Sequence, residues 1–185
     1  MTLCCVLTRA LLDRMVRMSL LALLQTGCLA AFAILLLVAG WQDLRTLQIA
    51  NRLSLATVAA FAVWAVAGIA LGRMSVTMLA LAIACSVALF AMAAAGFAGG
   101  ILGGGDVKLL SAASLFAGPA HIADFLVVTA LAGGVIGLAL LAGAPIGPAT
   151  AANDGTVRAR LRIGMPYGPA IAVGGLWIAA ALYGS

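Results

Sequence analysis

The stretch MSLLALLQTGCLAAFAILLLVAG, residues 18–40, contains no charged side chain. An α-helix needs about 20 apolar residues to cross a bilayer, so this stretch predicts a membrane-spanning helix. The whole chain agrees, because 65% of its 185 residues are hydrophobic and only 8% are charged. This composition excludes an ordinary soluble domain. Since no alternating strand pattern occurs, the sequence predicts an all-α, polytopic membrane helix bundle.

Five further apolar runs follow the first, and together they predict about six transmembrane helices. Three of them are long enough to span, namely Leu53–Leu71, Val76–Leu102 and Ile122–Ala142. Two are shorter, Val107–Ala117 and Gly168–Tyr183. The run Val107–Ala117 has about half the length that a span requires. It must therefore extend backwards through the preceding glycines, tilt, or lie where the bilayer is thin.

The basic residues predict the orientation of the bundle. Six helices place the first, third and fifth connections on one face, which then holds Arg45, Arg52, Lys108, Arg158, Arg160 and Arg162. The opposite face holds Arg73, and the positive-inside rule makes the richer face cytoplasmic. The three arginines of the long segment Pro145–Met165 are expected to contact anionic lipid head groups, at about 1 kcal/mol each. Because the arginines are orientation signals, we predict no nucleic-acid partner.

The N-terminal residues contradict this orientation. Arg9, Arg14 and Arg17 would lie on the outer face. We therefore interpret residues 1–17 as an N-terminal tail, either an interfacial segment or a stretch upstream of the true start. Residues 18–185 are then the membrane-embedded domain.

The residue inventory excludes several catalytic chemistries. The chain has no glutamate, so it contains no HExxH zinc motif. Its one histidine, His121, falls on the predicted outer face and is not available to activate a serine on the cytoplasmic face. The four cysteines form no CxxC pair and are predicted to be small buried side chains. Neither a metal nor a cofactor is expected.

Two aspartates remain as the candidate functional groups. Asp43 ends the first predicted helix and Asp106 begins the fourth, so both fall on the same face. Two carboxyl groups that share a site do not both ionise readily, and such a pair performs acid–base catalysis in aspartic proteases. Each acid alone also has a structural explanation. Asp43 is then a solvated acid beside Arg45, Asp106 a helix N-cap, and Lys108 a side chain that reaches the interface.

Three segments in order resemble the type IV prepilin peptidases, and most closely their small Flp/Tad-type, CpaA-like branch. They are DLRTLQIANRLSL from Asp43, GGGDVKLL at residues 103–110 and MPYGPAIAVGGL from Met165. The resemblance implies an aspartic endopeptidase of the bacterial cytoplasmic membrane, which removes the basic leader from prepilins or pseudopilins on the cytoplasmic side. It implies that Asp43 and Asp106 are catalytic. Supporting roles are expected for Gly103, Gly105, Lys108, Asn51, Pro166, Tyr167 and Gly168, although the last three also read simply as a helix start.

The chain departs from this family at two points. Ala50 stands where the family usually has proline, which predicts a less rigid turn between Ile49 and Asn51. Larger members carry a methyltransferase part with paired CxxC zinc motifs, and their absence predicts peptidase activity without methylation.

Three alternatives are a small membrane transporter or channel, a non-catalytic pilus-assembly subunit and a presenilin-like GxGD protease. A transporter is expected to have paired broken helices in two related halves, and no such repeat is visible. An assembly subunit is expected to lack one of the two acids, and both are present. The sequence around Asp43 and the element from Met165 argue against the presenilin-like protease.

Overall fold

The computed structural model describes residues 2–100, 102–144 and 166–184, with side chains from Leu12 onwards, and its regular structure is α-helical throughout. The helices are α1 (Thr2–Thr46), α2 (Asn51–Ala70), α3 (Val76–Ala98), α4 (Gly104–Leu141) and α5 (Gly168–Tyr183). The first four are long and apolar enough to cross a membrane, and α5 is a shorter apolar helix. The prediction of an all-α, multi-pass membrane protein is therefore confirmed for the described residues.

Helix α4 changes direction at Gly118. This residue has φ 55° and ψ −169°, and Pro119 follows it. Glycine adopts a positive φ without a side-chain clash, and proline is well suited to the first turn of a helix. A straight helix of 38 residues would be about 57 Å long. Because Asp106 and Leu141, near its two ends, line the same cavity, residues 104–117 and 119–141 form two antiparallel arms.

The structure corrects the predicted boundaries of several segments. Six separate transmembrane helices are not confirmed, because the predicted connection Gly118–His121 is a break at one residue within α4. The short fourth run begins at Gly104, so it does extend backwards through the glycines. Helix α1 also includes most of the predicted tail, since it runs unbroken from Thr2. The segment Pro145–Met165 and its three arginines lie outside the described residues.

Aromatic and hydroxyl side chains hold the centre of the bundle together. Phe32 of α1 stacks on Phe116 of α4 with ring centroids 4.0 Å apart, and Phe61 of α2 meets Phe116 edge-on at 5.3 Å. Such stacked and edge-to-face pairs contribute about 0.5–1.5 kcal/mol beyond area burial. Between α3 and α4, the buried Ser86 hydroxyl donates to the Ser111 carbonyl at 2.7 Å. These contacts fix α1, α2 and α3 against the first arm of α4.

Small residues bring α5 close to α1. A methyl group on Gly40 would lie 3.3 Å from both the Pro169 Cα and the Ala172 Cβ. A methyl group on Gly175 would overlap the Leu36 side chain. Small residues at these positions allow backbones to approach closely within a membrane. The beginning of α5 is thereby placed against the end of α1.

Ala50, which replaces the proline usual in the resembled family, has a backbone that suits proline. It lies at the N-cap of α2 with φ −65° and ψ 131°, and proline fixes φ near −65°. No hydrogen bond from its amide occurs among the described residues. We expect Ala50→Pro to raise the free energy of unfolding by about 0.4–1 kcal/mol, because it restricts the unfolded chain. Thermal unfolding in detergent measures this.

Ala59→Pro is the matched control, because it places the same residue in the interior of α2. There proline removes a helical hydrogen bond and costs about 3 kcal/mol. A melting temperature for Ala50→Pro below that of the wild type would contradict the prediction. It would mean that Ile49 cannot take the extended conformation that proline requires before it.

Candidate active site

Two aspartates are buried at one end of the bundle. Asp43, in the last turn of α1, is 3% exposed, and Asp106, in the first turn of α4, is 8% exposed. Asp13 and Asp124, the other acids with described side chains, are exposed. Burial of a carboxyl group costs free energy unless its oxygens are hydrogen-bonded or the group is paired. The burial therefore separates Asp43 and Asp106 from the other described acids.

Asp43 is held by the beginning of α5. The backbone amide of Gly168 donates to its Oδ2 at 2.7 Å. An amide in the first turn of a helix has no partner within the helix, and it lies at the positive end of the helix dipole. A methyl group on Gly168 would lie 2.6 Å from the Asp43 Cβ and 2.9 Å from Oδ2. The close approach therefore requires glycine at this position.

The side chain of Asp106 reaches back to the start of its own helix. The amide of Gly103, the N-cap residue of α4, donates to Asp106 Oδ2 at 3.2 Å. Asp106 is thus the third residue of the helix, in the acidic position of a capping box, and it is not the N-cap itself. A methyl group on Gly103 would lie 2.7 Å from this oxygen. The buried Oδ1 has no hydrogen-bond partner among the described residues.

The two carboxyl groups belong to one region of the structure. Tyr167 lines a cavity of about 660 Å³ together with Asp106, and its neighbour Gly168 binds Asp43. Asp43 and Asp106 are also near enough for their charges to interact. Within the described part of the chain, neither forms an ion pair with a basic side chain. The site therefore contains two carboxyl groups, each bound by one backbone amide.

The Arg45 side chain does not pair with Asp43, and Asp43 is buried, so the explanation of Asp43 as a solvated acid beside Arg45 is wrong. Its guanidinium lies over the Trp41 ring, 4.6 Å from the ring centroid. A cation over an indole face is stabilised by the ring quadrupole. Asp43 itself faces the interior, where α5 covers it.

The remaining predicted residues support the backbone around the acids. Gly105 lets the connection between α1 and α2 pack on α4, since a methyl group there would lie 3.0 Å from the Ile49 Cβ and 3.2 Å from its carbonyl oxygen. Lys108 Nζ donates to Asn51 Oδ1 at 2.9 Å, so this pair links α4 to α2 and contacts neither carboxyl group. Pro166 is fully buried just before α5.

Two residues of the α1–α2 connection were missed by sequence reasoning. Ile49 is buried at 9% exposure against Gly105, but the neighbouring Leu47 and Ala50 are also apolar, so the local sequence does not distinguish it. Leu47 has φ 52°, and its amide donates to the Asp43 carbonyl at 2.8 Å. A positive φ is uncommon for leucine, so the sequence does not predict this backbone conformation.

The histidine and the cysteines lie away from the two acids. His121 Nδ1 is 3.5 Å from the Asp124 carboxyl group, three residues after the break in α4. Cys28 is buried, Cys85 is partly buried, and both are free thiols. In the described ranges, no three potential ligands cluster in a way that would hold a metal ion.

The fold and these acids define a multi-pass membrane protein with a two-carboxyl site. The model of the type IV leader peptidase family matches residues 30–138, more than half of the chain, and this range includes Asp43 and Asp106. The chain belongs to this family, which makes it a leader-peptidase-like protease and confirms the predicted resemblance at the level of the family. Comparisons with curated proteins and with solved structures gave no significant match.

Proposed function

We propose that this protein is an aspartic endopeptidase that removes the leader from Flp-type prepilins or pseudopilins at the cytoplasmic side of the bacterial inner membrane. Its membership of the leader peptidase family supports the reaction class. One observation supports the aspartic mechanism most directly. Asp43 and Asp106 come from different helices, are both buried, and are each bound by a single backbone amide.

The two carboxyl groups have the chemistry for hydrolysis of an amide. The ionised group removes a proton from water, and the water oxygen attacks the scissile carbonyl carbon. The protonated group donates a hydrogen bond to the carbonyl oxygen, where negative charge develops. When the carbon–nitrogen bond breaks, a carboxyl group supplies the proton to the leaving amine. The amides of Gly103 and Gly168 orient the two groups without adding a charged side chain.

The distribution of basic residues supports a cytoplasmic site. Arg45, Arg52 and Lys108 lie in or beside the helix ends that carry the two acids, whereas Arg73 follows α2 at the other end. Each arm of α4 is a membrane crossing in this proposal, so that six crossings place both acids on one face. The positive-inside rule then makes that face cytoplasmic. Residues 1–17 remain interpreted as a tail, either interfacial or upstream of the true start.

The proposed substrates are membrane-inserted prepilins, cut between the basic leader and the apolar helix. We propose that the reaction needs no cofactor and that the enzyme does not methylate its product. Membrane lipids are further partners, through the arginines of the segment Pro145–Met165.

Co-expression with a Flp-type prepilin tests the proposal. We expect the wild type to convert the prepilin to a shorter form, and Asp106→Ala to leave it uncut. Incubation of the purified enzyme with prepilin in lipid vesicles tests the second part, and mass spectrometry should find an unmethylated new N-terminus. An uncut prepilin in the presence of folded, inserted wild-type protein would contradict the proposed function.

A further inference from the structure

The cavity that contains Asp106 continues as an apolar groove along α4. Its walls are the two arms of α4 and the beginning of α5, with Leu110, Leu126, Leu138 and Tyr167 among the lining side chains. On the second arm the lining runs from Leu126 to Leu141. This stretch is about 22 Å long at 1.5 Å per residue. The groove therefore extends over about four helical turns.

Along the second arm, the residues that line the middle of the groove are glycines. Gly133, Gly134 and Gly137 line it there. A methyl group on Gly134 would meet no atom within 4 Å, so this residue borders open space and not a neighbouring helix. Glycines on a membrane helix allow another helix backbone to approach closely. No described helix occupies this approach to Gly134.

Asp106, which lines this cavity, carries an unsatisfied polar atom. Asp106 Oδ1 is buried and has no hydrogen-bond partner among the described residues, and Asp106 is 8% exposed. A buried acceptor without a partner destabilises the folded state. A ligand that follows the apolar groove and brings a polar group to Asp106 would remove this cost. A lipid acyl chain fills apolar space but carries no such group along its length.

We propose that this groove receives the first turns of the substrate's own apolar helix, packed against Gly134, and thereby places the scissile bond at Asp106. The inference rests on the proposed function. Within the bilayer, backbone groups must be hydrogen-bonded internally, so the apolar segment of the substrate stays helical there. The peptide bond to be cut lies beyond the end of that helix, and it would therefore lie at the end of the groove that contains Asp106. The groove thus sets the position of cleavage relative to the membrane segment.

Filling the groove at Gly134 tests this proposal. We expect Gly134→Ala, Gly134→Leu and Gly134→Phe to lower the initial rate of prepilin cleavage in order of side-chain volume, by about tenfold or more for phenylalanine. The matched control is Gly27 of α1, which is exposed in a spanning helix and where an added methyl group would meet no atom within 4 Å. We expect Gly27→Phe to remain within about twofold of the wild type.

The outcomes separate the two proposals. If neither the wild type nor Gly27→Phe cuts the prepilin, the proposed function fails. If the wild type cuts and Gly134→Phe cuts equally fast, the groove does not receive the substrate and the inference is overturned, as expected for a lipid-filled groove.

A second measurement covers the case in which Gly134→Phe does not fold. Gly134→Cys and Gly27→Cys are prepared with the native cysteines replaced by serine and with Asp106→Asn to preserve the substrate. When an oxidant such as copper phenanthroline is added, a prepilin with one cysteine in the first turns of its apolar helix should form a disulfide with position 134 and not with position 27. Cross-linking at position 27 alone, or at neither position, would overturn the inference.

Discussion

Asp43→Asn and Asp106→Asn are each expected to reduce the rate of leader removal by about 10²–10⁴-fold or more, because an asparagine side chain neither accepts nor donates the transferred proton. The two buried acids are the groups that we propose to activate water. Asparagine keeps an oxygen that accepts the backbone hydrogen bond from Gly168 or Gly103. The variants should therefore fold, and the prepilin shift on a gel measures the loss of activity.

Asp124→Asn is the matched control for both variants. Asp124 is exposed, and it lies on α4 beyond the break, next to His121. The same substitution there should leave leader removal unchanged. Melting temperatures in detergent should be similar for all three variants, so that inactivity is not a consequence of unfolding. Near-wild-type turnover by either Asp43→Asn or Asp106→Asn would remove that aspartate from the mechanism.

Gly168→Ala is expected to abolish most of the activity by adding a single methyl group. That methyl group would lie 2.6 Å from the Asp43 Cβ, so α5 has to move away from α1. The hydrogen bond from the Gly168 amide to Asp43 then lengthens, and the carboxyl group loses its fixed orientation. A displacement of about 1 Å in a catalytic group can cost about 10²-fold in rate. The measurement is the initial rate of prepilin cleavage in vesicles.

Gly27→Ala provides the comparison, because it adds the same methyl group to a spanning helix where no atom lies within 4 Å. It should retain wild-type activity. Gly168→Ala should lower turnover, since the substitution displaces the beginning of α5 and with it the amide that orients Asp43. Wild-type turnover by Gly168→Ala would show that the position of α5 does not control Asp43.

Much of the fold could be predicted because its signal is local. Residues 18–40 are apolar throughout, and such a run specifies a spanning helix wherever it occurs. The paired acids also stood out locally, since aspartates are rare in this chain and each is placed at the edge of an apolar run. The sequence segments around them were sufficient to identify the family, which the family match confirms.

Other features had no local signal that distinguished between alternatives. The sequence predicted a connection of several residues at Gly118 and Pro119. The packing of the two arms of α4 shows that the chain reverses at Gly118 alone. Arg45 stands two residues after Asp43, which allows a solvated acid beside a basic residue, but Asp43 is buried and the guanidinium packs on Trp41. In each case, neighbouring structure decided between conformations that the local sequence allows.

The sequence by itself determined that this protein is a helical membrane protein of the leader peptidase family, and which two acids are its candidate catalytic groups. Hydrophobicity and short motifs carry that information because each is read within one segment. Only the tertiary structure decided how the acids are held. The amide that binds Asp43 belongs to a residue 125 positions away. The groove at Asp106 is formed by the two arms of α4 and the beginning of α5. Contacts between distant segments depend on how whole helices pack, and no single stretch of sequence contains them.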